Sequence, residues 1–361
     1  MLRYAALTSG CGLLNGFEPE SAPDKTQRAT IDALAETFLK QNQIPGFSIA
    51  FAHRGTLAYA AGYGYADVSR KERVTSKHLF RIASVSKPIT SVAIYTLVEQ
   101  GKLSLDDLVF GSHGILSRFS LPTSGSQWLK EIRVRHLLTQ TCGGWQNDES
   151  DPMFHWPELN HEQLISKTLK TQPLLHAPGR HYAYSNFGYC LLGRVIEAKS
   201  GAHYEDYVRE HVLRPCGIRA MAVGGKTSNV ELREVHYYGP DDPYDLDPQR
   251  MDSHGGWIAS PSDLVAFAVH IDGFPAPPDI LREATEKDMV TATSANPKYA
   301  KGWAVNALGN WWHAGGMPGT SSILVRTASG MCWAATANTS TQGNIDELMW
   351  KMARCVHQWR A

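Results

Sequence analysis

A serine and a lysine three residues apart offer the chemistry of covalent acyl transfer. Ser84 and Lys87 open an apolar run whose three- and four-residue spacing predicts a buried helix over 84–100. On such a helix the two side chains share a face. A lysine can take the proton of a serine when burial lowers its pKa, and the helix N-terminus adds N–H groups beside the reacting oxygen. Alone, the pair is more often an N-cap serine followed by an exposed lysine.

A second polar group lies roughly a hundred residues further on. Tyr184, Ser185 and Asn186 follow a turn signal at 177–180 and precede a predicted helix over 188–200. A tyrosine at such a junction can present its phenol to a cleft, and a phenolate beside a lysine can act as general base. The Asn186 amide can bond both a lysine and a substrate carbonyl. The alternative is a turn that only caps the next helix.

A glycine-rich segment late in the chain supplies a third group. His313, Ala314, Gly315 and Gly316 lie between runs at 302–306 and 320–326 that resemble strands. Two glycines beside a strand edge let a substrate approach the backbone closely. We therefore expect the N–H of Gly316 to be the second donor of an oxyanion hole, with the N–H of Ser84 as the first. A lone glycine pair is more often a bulge or a turn.

In this order the three motifs resemble those of the serine β-lactamase and penicillin-binding-protein superfamily, for which Ser-x-x-Lys is a known signature. The resemblance covers roughly residues 44–338 and is closest to the class C β-lactamase-like branch. That branch includes esterases, D-amino-acid peptidases and acyltransferases, and it uses Tyr-x-Asn and often His-x-Gly. The resemblance implies that Ser84, Lys87 and Tyr184 are catalytic. It also implies that the substrate is held by Asn186, His313, Gly315 and Gly316.

Two positions depart from the pattern of many relatives. Gln140 stands in place of a histidine and Cys142 in place of a serine, and the segment 145–156 cannot be aligned. These changes bear on the substrate more than on the chemistry. Cys142 as a rival nucleophile would need a nearby base, and the sequence names none.

Tryptophans are concentrated near the motifs in the sequence. An aromatic wall for an apolar acyl or aryl group is one interpretation, and burial in the core is the other. We predict that Trp145 and Trp312 line the cleft.

Composition excludes several classes of protein. The 361 residues carry 35 basic and 35 acidic side chains without a basic stripe, which argues against nucleic acid as a partner. The sequence contains no run of eighteen apolar residues, so no membrane span is predicted. The six cysteines are scattered without Cys-x-x-Cys, and no His-x-x-x-His occurs. Neither a metal nor a cofactor is therefore implied.

The first residues leave the location of the protein open. Residues 1–15 vaguely suggest an export or lipoprotein signal, but the apolar stretch is broken. A frayed terminus is the preferred interpretation. We expect a soluble protein, with a cytoplasmic location slightly favoured over export.

The order of elements predicts an α+β fold. Strand patterns occur near both ends of the chain and helical patterns between them, with hairpin signals at Arg54-Gly55. The predicted helices and strands outside the motifs are a helix at 26–40, strands at 47–53, 56–61, 303–305, 321–325 and 331–337, and a closing helix at 345–359. We predict the β-lactamase/transpeptidase-like arrangement, an antiparallel sheet flanked by helices with an inserted helical lobe and an active-site cleft between them. One lobe would comprise 1–83, irregular over 1–24, with 222–361, and the helical lobe 84–221.

The predicted function is hydrolysis of an ester or amide through an acyl-enzyme on Ser84, of the carboxylesterase type. The expected substrate is a small molecule, and the sequence does not indicate an oligomeric state. Esterase activity is preferred because His313 stands where most β-lactamases present a lysine, and a histidine carries its charge only in part near neutral pH. Alternatives on the same site are an acyltransferase, a D-aminoacyl peptidase or a β-lactamase. A further alternative is a catalytically silent binding protein on the same fold.

Overall fold

The structure is a computed structural model that describes residues 21–125 and 127–359. Among these residues the strands form two antiparallel sheets. The strands are β1 (Gly46–His53), β2 (Thr56–Asp67), β3 (Glu72–Arg73), β4 (Phe80–Arg81), β5 (Ala222–Val223), β6 (Trp257–Ala259), β7 (Ala304–Val305), β8 (Trp311–Met317), β9 (Thr320–Arg326) and β10 (Met331–Ala337). The helices are α1 (Lys25–Asn42), α2 (Ser86–Glu99), α3 (Val134–Leu138), α4 (Pro152–His155), α5 (His161–Thr171), α6 (Asn186–Ser200), α7 (Tyr204–Val208), α8 (Asp252–Gly255), α9 (Pro261–Val269), α10 (Glu283–Met289) and α11 (Ile345–Arg354).

The large sheet joins strands from both parts of the chain. Its order is β3-β2-β1-β10-β9-β8-β7, with β1 paired to β10 so that Phe51 lies opposite Trp333. A smaller sheet has the order β4-β6-β5. The predicted α+β fold, with an antiparallel sheet flanked by helices, is confirmed.

The two faces of β1 differ in the size of their side chains. In β1, Phe47, Ile49 and Phe51 pack into the core shared with α1 and α11, whereas Ala50 and Ala52 face the main core on the other side. Successive strand residues point to opposite faces. The small alanines let α9 pack closely on β1 and β10. Each buried large side chain stabilises the fold by about 1.5–3 kcal/mol.

The stretch of chain between β4 and β5 is helical and forms most of the main core. Every described element between these two strands is helical. Within this region α2 is buried over most of its length and packs against α6 and α8. The proposed division into two lobes stays a prediction.

Some expected boundaries are wrong. Ser84 lies in a 3₁₀ turn, Ala83–Val85, that precedes α2 rather than in the α-helix itself. The closing helix ends at Arg354, and a separate 3₁₀ turn carries Trp359, whose ring stacks on Phe51 at 5.0 Å between centroids.

Two expectations concern the chain termini and membranes. The signal-like residues 1–15 lie outside the described residues. Over 21–125 and 127–359, no helix combines the length and the apolar character that crossing a bilayer requires.

Candidate active site

Ser84 lies in a tight turn between β4 and α2. The preceding residue, Ala83, has a φ of 46°, a left-handed conformation that costs a non-glycine residue about 1 kcal/mol or more and persists only where the surroundings impose it. Ser84 lies in this 3₁₀ turn and Lys87 in the first turn of α2, and side chains three residues apart in successive helical turns lie on the same side. Lys87 therefore lies behind Ser84, with its Nζ 3.0 Å from Ser84 Oγ.

Lys87 is fully buried, and its amine has three hydrogen-bond partners. Besides Ser84 Oγ, Nζ contacts Asn186 Oδ1 at 2.8 Å and the carbonyl oxygen of His254 at 3.0 Å. The last two atoms only accept hydrogen bonds, so they take two N–H groups. The remaining position on Nζ faces Ser84. An ammonium there donates to Oγ, whereas a neutral amine can accept the hydroxyl proton.

The surroundings of Lys87 favour the neutral amine. Burial lowers the pKa of Lys87 from its ordinary value of 10.5 to about 7, and the negative charge of Asp151 offsets part of this effect. Near neutral pH both protonation states are therefore populated. A neutral Lys87 is the form that can remove the proton from Ser84.

Tyr184 precedes the first turn of α6 and faces Lys87. Ser185 caps this helix by accepting a hydrogen bond from the N–H of Gly188 at 3.0 Å. The Tyr184 ring centroid lies 4.6 Å from Lys87 Nζ. Burial raises the pKa of the phenol well above its ordinary value, and hydrogen bonding to Ser84 offsets only part of the rise. The resting phenol is therefore protonated at neutral pH. The general-base role expected of a Tyr184 phenolate stays a prediction.

Asn186 connects Lys87 to the segment 145–156, which does not align with the family pattern. Its Oδ1 accepts from Lys87, and its Nδ2 donates to Asn147 Oδ1 at 3.0 Å and to Asp151 Oδ2 at 2.9 Å. A reversed amide would place its NH₂ against the lysine and its oxygen against a carboxylate. The contacts therefore define which end of the amide faces Lys87.

His313 is buried and uncharged. Its Nδ1 lies 2.7 Å from the Ala314 carbonyl oxygen, and its Nε2 lies 3.3 Å from the Tyr299 hydroxyl. Because a carbonyl only accepts, Nδ1 carries the hydrogen and Nε2 accepts from Tyr299. Burial, reinforced by the charge of Lys87, lowers the pKa of His313 to about 3. The partial charge expected near neutral pH is therefore absent, because burial excludes the imidazolium.

Gly315 allows β8 to approach the turn that carries Ser84. A Cβ at Gly315 would lie 2.2 Å from the Ile82 carbonyl oxygen and 2.3 Å from Ser322 Oγ. Only glycine avoids these clashes. The His313–Gly316 segment thus lies inside β8, whereas the sequence placed it between strands, because its glycines interrupt the strand pattern.

Gly316 lies on the open part of the β8 edge. Among the described residues β7 pairs with Trp311 and Trp312 alone, which leaves the later residues of β8 without an outer strand. Met317 and Thr320 close the hairpin with β9, and hydrogen bonds alternate along an antiparallel pair. The N–H of Gly316 is therefore directed away from β9. This geometry suits the predicted oxyanion donor, which stays a prediction.

The two tryptophans expected to line the cleft do not do so in this structure. Trp312 follows the strand alternation to the face opposite His313, where it packs with the core under α1 and α11. Trp145 is a core residue. Its ring meets Phe187 edge-on at 5.0 Å between centroids, and its indole donates to the Gln172 carbonyl at 3.1 Å. The alternative interpretation, packing against the core, therefore describes these two side chains.

The two departures from the family pattern are buried beneath the site. Gln140 accepts a hydrogen bond from the Ser185 N–H at 2.8 Å, which supports the turn that carries Tyr184. The thiol of Cys142 donates to the Gly144 carbonyl at 3.2 Å, and burial raises its pKa to about 11. Cys142 is therefore a protonated thiol at neutral pH, which disfavours it as a nucleophile.

Sequence reasoning missed three contributors to the site. Asp151 and Tyr299 lie outside any recognised motif, and His254 contributes its backbone carbonyl, which no side-chain pattern encodes. The Asp151-Pro152 pair is a helix-start signal, but it indicates a cap rather than a site. Within the described ranges, no three His, Cys, Asp or Glu residues are arranged to hold a metal ion.

Comparison with known families decides the superfamily. The family described as Beta-lactamase matches residues 31–357. The chain belongs to the beta-lactamase family of serine hydrolases. This membership confirms the predicted superfamily. Protein flp of Staphylococcus aureus (strain MW2) is 31% identical over 185 residues, which cover 51% of this chain and 36% of flp. The chain thus spans about a third of the length of that relative.

Solved structures share the fold of this beta-lactamase-family chain. D-amino acid amidase from Ochrobactrum anthropi SV3, complexed with D-phenylalanine, matches with a TM-score of 0.76 at 22% identity, over 93% of this chain and 100% of the amidase. EstCE1, described as a hydrolase with promiscuous acyltransferase activity, matches with a TM-score of 0.74 at 21% identity, over 92% of this chain and 99% of EstCE1. At this identity the likeness establishes the fold.

Proposed function

We propose that the chain is a carboxylesterase-like hydrolase that forms an acyl-enzyme on Ser84. The contact between Ser84 Oγ and the buried Lys87 amine carries the proposal. Because the other partners of that amine are neutral acceptors, it can exist without its proton near neutral pH and serve as base. Hydrolysis of a small-molecule ester requires no charged substrate-binding side chain in addition to these catalytic groups.

Acylation begins with removal of the Ser84 proton by Lys87. Oγ attacks the ester carbonyl, and the N–H groups of Ser84 and Gly316 stabilise the oxygen that becomes negative. The tetrahedral intermediate then collapses and the bond to the alcohol breaks. The protonated Tyr184 hydroxyl is suited to donate a proton to the departing alkoxide, and Lys87 replaces that proton.

Deacylation repeats the sequence with water as the nucleophile. The amine of Lys87 takes a proton from water, directly or through Tyr184, and hydroxide attacks the acyl carbonyl. Collapse of the second intermediate breaks the bond to Ser84 Oγ, which regains its proton from Lys87. Asn186 keeps the amine aligned during both steps.

The neutral His313 supports esters ahead of β-lactams. A substrate that carries a carboxylate gains from a cation at the cleft edge. The pKa of His313 is lowered to about 3, so this side chain supplies no charge at neutral pH. The binding of esters without a carboxylate does not depend on a positive charge at this position.

A substrate panel tests the proposal. Wild type and Ser84→Ala are assayed with p-nitrophenyl esters, D-aminoacyl amides and a chromogenic cephalosporin, and adducts are mapped by mass spectrometry. We expect fastest turnover with neutral esters and a fluorophosphonate adduct on Ser84, absent from Ser84→Ala. Preferred turnover of an amide or the cephalosporin, or transfer to an added alcohol in place of hydrolysis, would support an alternative on the same site. No adduct on Ser84 would overturn the proposal.

A further inference from the structure

Asp151 is a buried carboxylate on the far side of Asn186 from Lys87. Its Oδ2 accepts from Asn186 Nδ2 at 2.9 Å, and its Oδ1 accepts from the Met153 N–H at 2.9 Å, which caps α4. Both contacts are to neutral groups, and the side chain has no exposed surface. A buried carboxylate without a cation in contact is costly. Its presence beside Lys87 therefore calls for a physical explanation.

We propose that Asp151 is a positioning residue for proton transfer, which fixes the Asn186 amide with its oxygen toward Lys87 and supplies a negative charge that helps retain the Lys87 proton. This inference rests on the proposed Ser84 hydrolysis. It concerns how Lys87 is prepared rather than which substrate binds. Asp151 itself does not touch the reacting atoms.

The orientation of Asn186 depends on what lies behind it. An amide has one donating and one accepting end, whereas a carboxylate only accepts. The Asp151 carboxylate therefore draws the NH₂ of Asn186 toward itself. Asn147 also accepts from this NH₂, but its own amide is exposed and can turn to donate instead. Asp151 is the partner that holds the oxygen of Asn186 against Lys87.

The charge of Asp151 acts on Lys87 through the same chain of contacts. Burial raises the pKa of Asp151 to about 6 and lowers that of Lys87 to about 7. The charges oppose these shifts, because the Lys87 charge lowers the pKa of Asp151 and the Asp151 charge raises that of Lys87. Neutralising Asp151 therefore lowers the pKa of Lys87 further. The titratable and charged groups that face this pair from the surrounding elements are Asp148, Tyr184, Tyr189, Arg250, His254 and His313.

Substitution of Asp151 tests both parts of the proposal. Asp151→Asn has the same size but only one accepting atom, so it cannot cap α4 and also accept from Asn186. We expect the acid limb of kcat/KM for a neutral ester to move down by about one pH unit. We expect kcat to fall roughly ten-fold with a smaller change in KM, because the Lys87 amine loses its alignment. Glu149→Gln, which removes an exposed carboxylate of the same segment, should leave the profile unchanged.

A double substitution reverses the direction of the shift. In Asp151→Asn with Asn186→Asp, the amide donates from position 151 and the carboxylate contacts Lys87 directly. The acid limb should then move above that of the wild type, because an adjacent negative charge favours the ammonium. This variant also restores a complementary hydrogen bond between the two positions. It therefore serves as the test if Asp151→Asn alone fails to fold.

An NMR titration separates failure of this inference from failure of the proposed function. The ¹³Cε signal of Lys87, identified by its loss in Lys87→Met, reports the protonation of the amine without turnover. Opposite shifts in the single and double variants support the inference even if no ester is hydrolysed. Wild-type turnover together with an unchanged Lys87 titration in both variants would overturn it and leave the hydrolase proposal standing.

Discussion

Two buried cations, Lys87 and Arg194, are held by the same pair of helices in opposite ways. α6 supplies Asn186 to Lys87 and carries Arg194 itself, while α8 supplies the His254 carbonyl to Lys87 and Asp252 to Arg194. Arg194 lies between two carboxylates, with its Nε 2.6 Å from Glu197 and its Nη2 2.5 Å from Asp252. Lys87 contacts neutral oxygens alone.

The difference separates a structural charge from a chemical one. Burial by itself lowers the pKa of Arg194, but Asp252 and Glu197 reverse this effect and raise it above its ordinary value. Burial lowers the pKa of Lys87 to about 7, because no carboxylate is in contact to reverse it. Carboxylate partners thus fix a buried charge, whereas neutral acceptors leave the proton free to move.

The largest expected effect is the loss of stability when the structural charge is removed. Arg194→Met leaves Asp252 and Glu197 buried or half-buried without a cation, so the free energy of unfolding should fall by about 4 kcal/mol. Lys87→Met leaves neutral oxygens where the amine was in contact, and Asp151 beyond Asn186 has a pKa raised to about 6, so this carboxylate can bind a proton when the cation is lost. Stability at pH 7 should therefore change far less. Urea denaturation at pH 7 measures both variants. Equal losses would show that the two cations are held alike.

The contrast also predicts how stability depends on pH. Between about 7 and 10.5, the folded and unfolded pKa values of Lys87, the unfolded chain binds one proton more than the folded one. The free energy of unfolding should therefore rise with pH across this range. The rise attributed to Lys87 is roughly 3 kcal/mol from pH 7 to 10.

The difference between wild type and Lys87→Met isolates this contribution. Other groups that titrate in the same range, such as cysteines and tyrosines, are present in both proteins and cancel. Arg194 stays charged in both states and adds no slope. Parallel stability curves for the two proteins would mean that Lys87 keeps an ordinary pKa when folded.

The local sequence pattern predicted the features that depend on residues close together in the sequence. The Ser84–Lys87 spacing places the two groups within one turn, and the strand at 331–337 has an unbroken apolar run. Asp151 and the His254 carbonyl reach Lys87 only through the packing of α4, α6 and α8. Neither has a residue type or spacing that points to lysine. The tertiary contact is what gives them a role.

The errors over β8 have a common physical origin. Gly315 and Gly316 weaken the strand pattern, yet Gly315 is required because β8 approaches the Ile82 carbonyl. That approach is a tertiary constraint which the local sequence does not express. Once residues 311–317 are known to form a strand, alternation alone assigns Trp312 and His313 to opposite faces.

Catalysis should depend on the ability of Lys87 to lose its proton rather than on its charge. Lys87→Arg keeps a cation in the site, but guanidinium does not deprotonate in the working range. We expect kcat for a neutral ester to fall at least ~100-fold, as for a lost general base. The matched control is Arg194→Lys, which should retain kcat in the folded fraction. An active Lys87→Arg enzyme would remove Lys87 from the proton path.

The smallest expected effect concerns His313, which the structure makes neutral. Since its pKa is lowered to about 3, the ratio of kcat/KM for a carboxylated and a neutral ester should not change between pH 6 and 8 in the wild type. His313→Lys introduces a cation and should raise that ratio roughly ten-fold, the scale of one charge-assisted hydrogen bond. The same charge should lower the pKa of Lys87, so the acid limb should move down for both esters.

His313→Gln, which is uncharged, serves as control and should produce neither change. A wild-type ratio that climbs as the pH falls from 8 to 6 would mean that His313 titrates in place, and the preference for neutral esters would lose its physical basis.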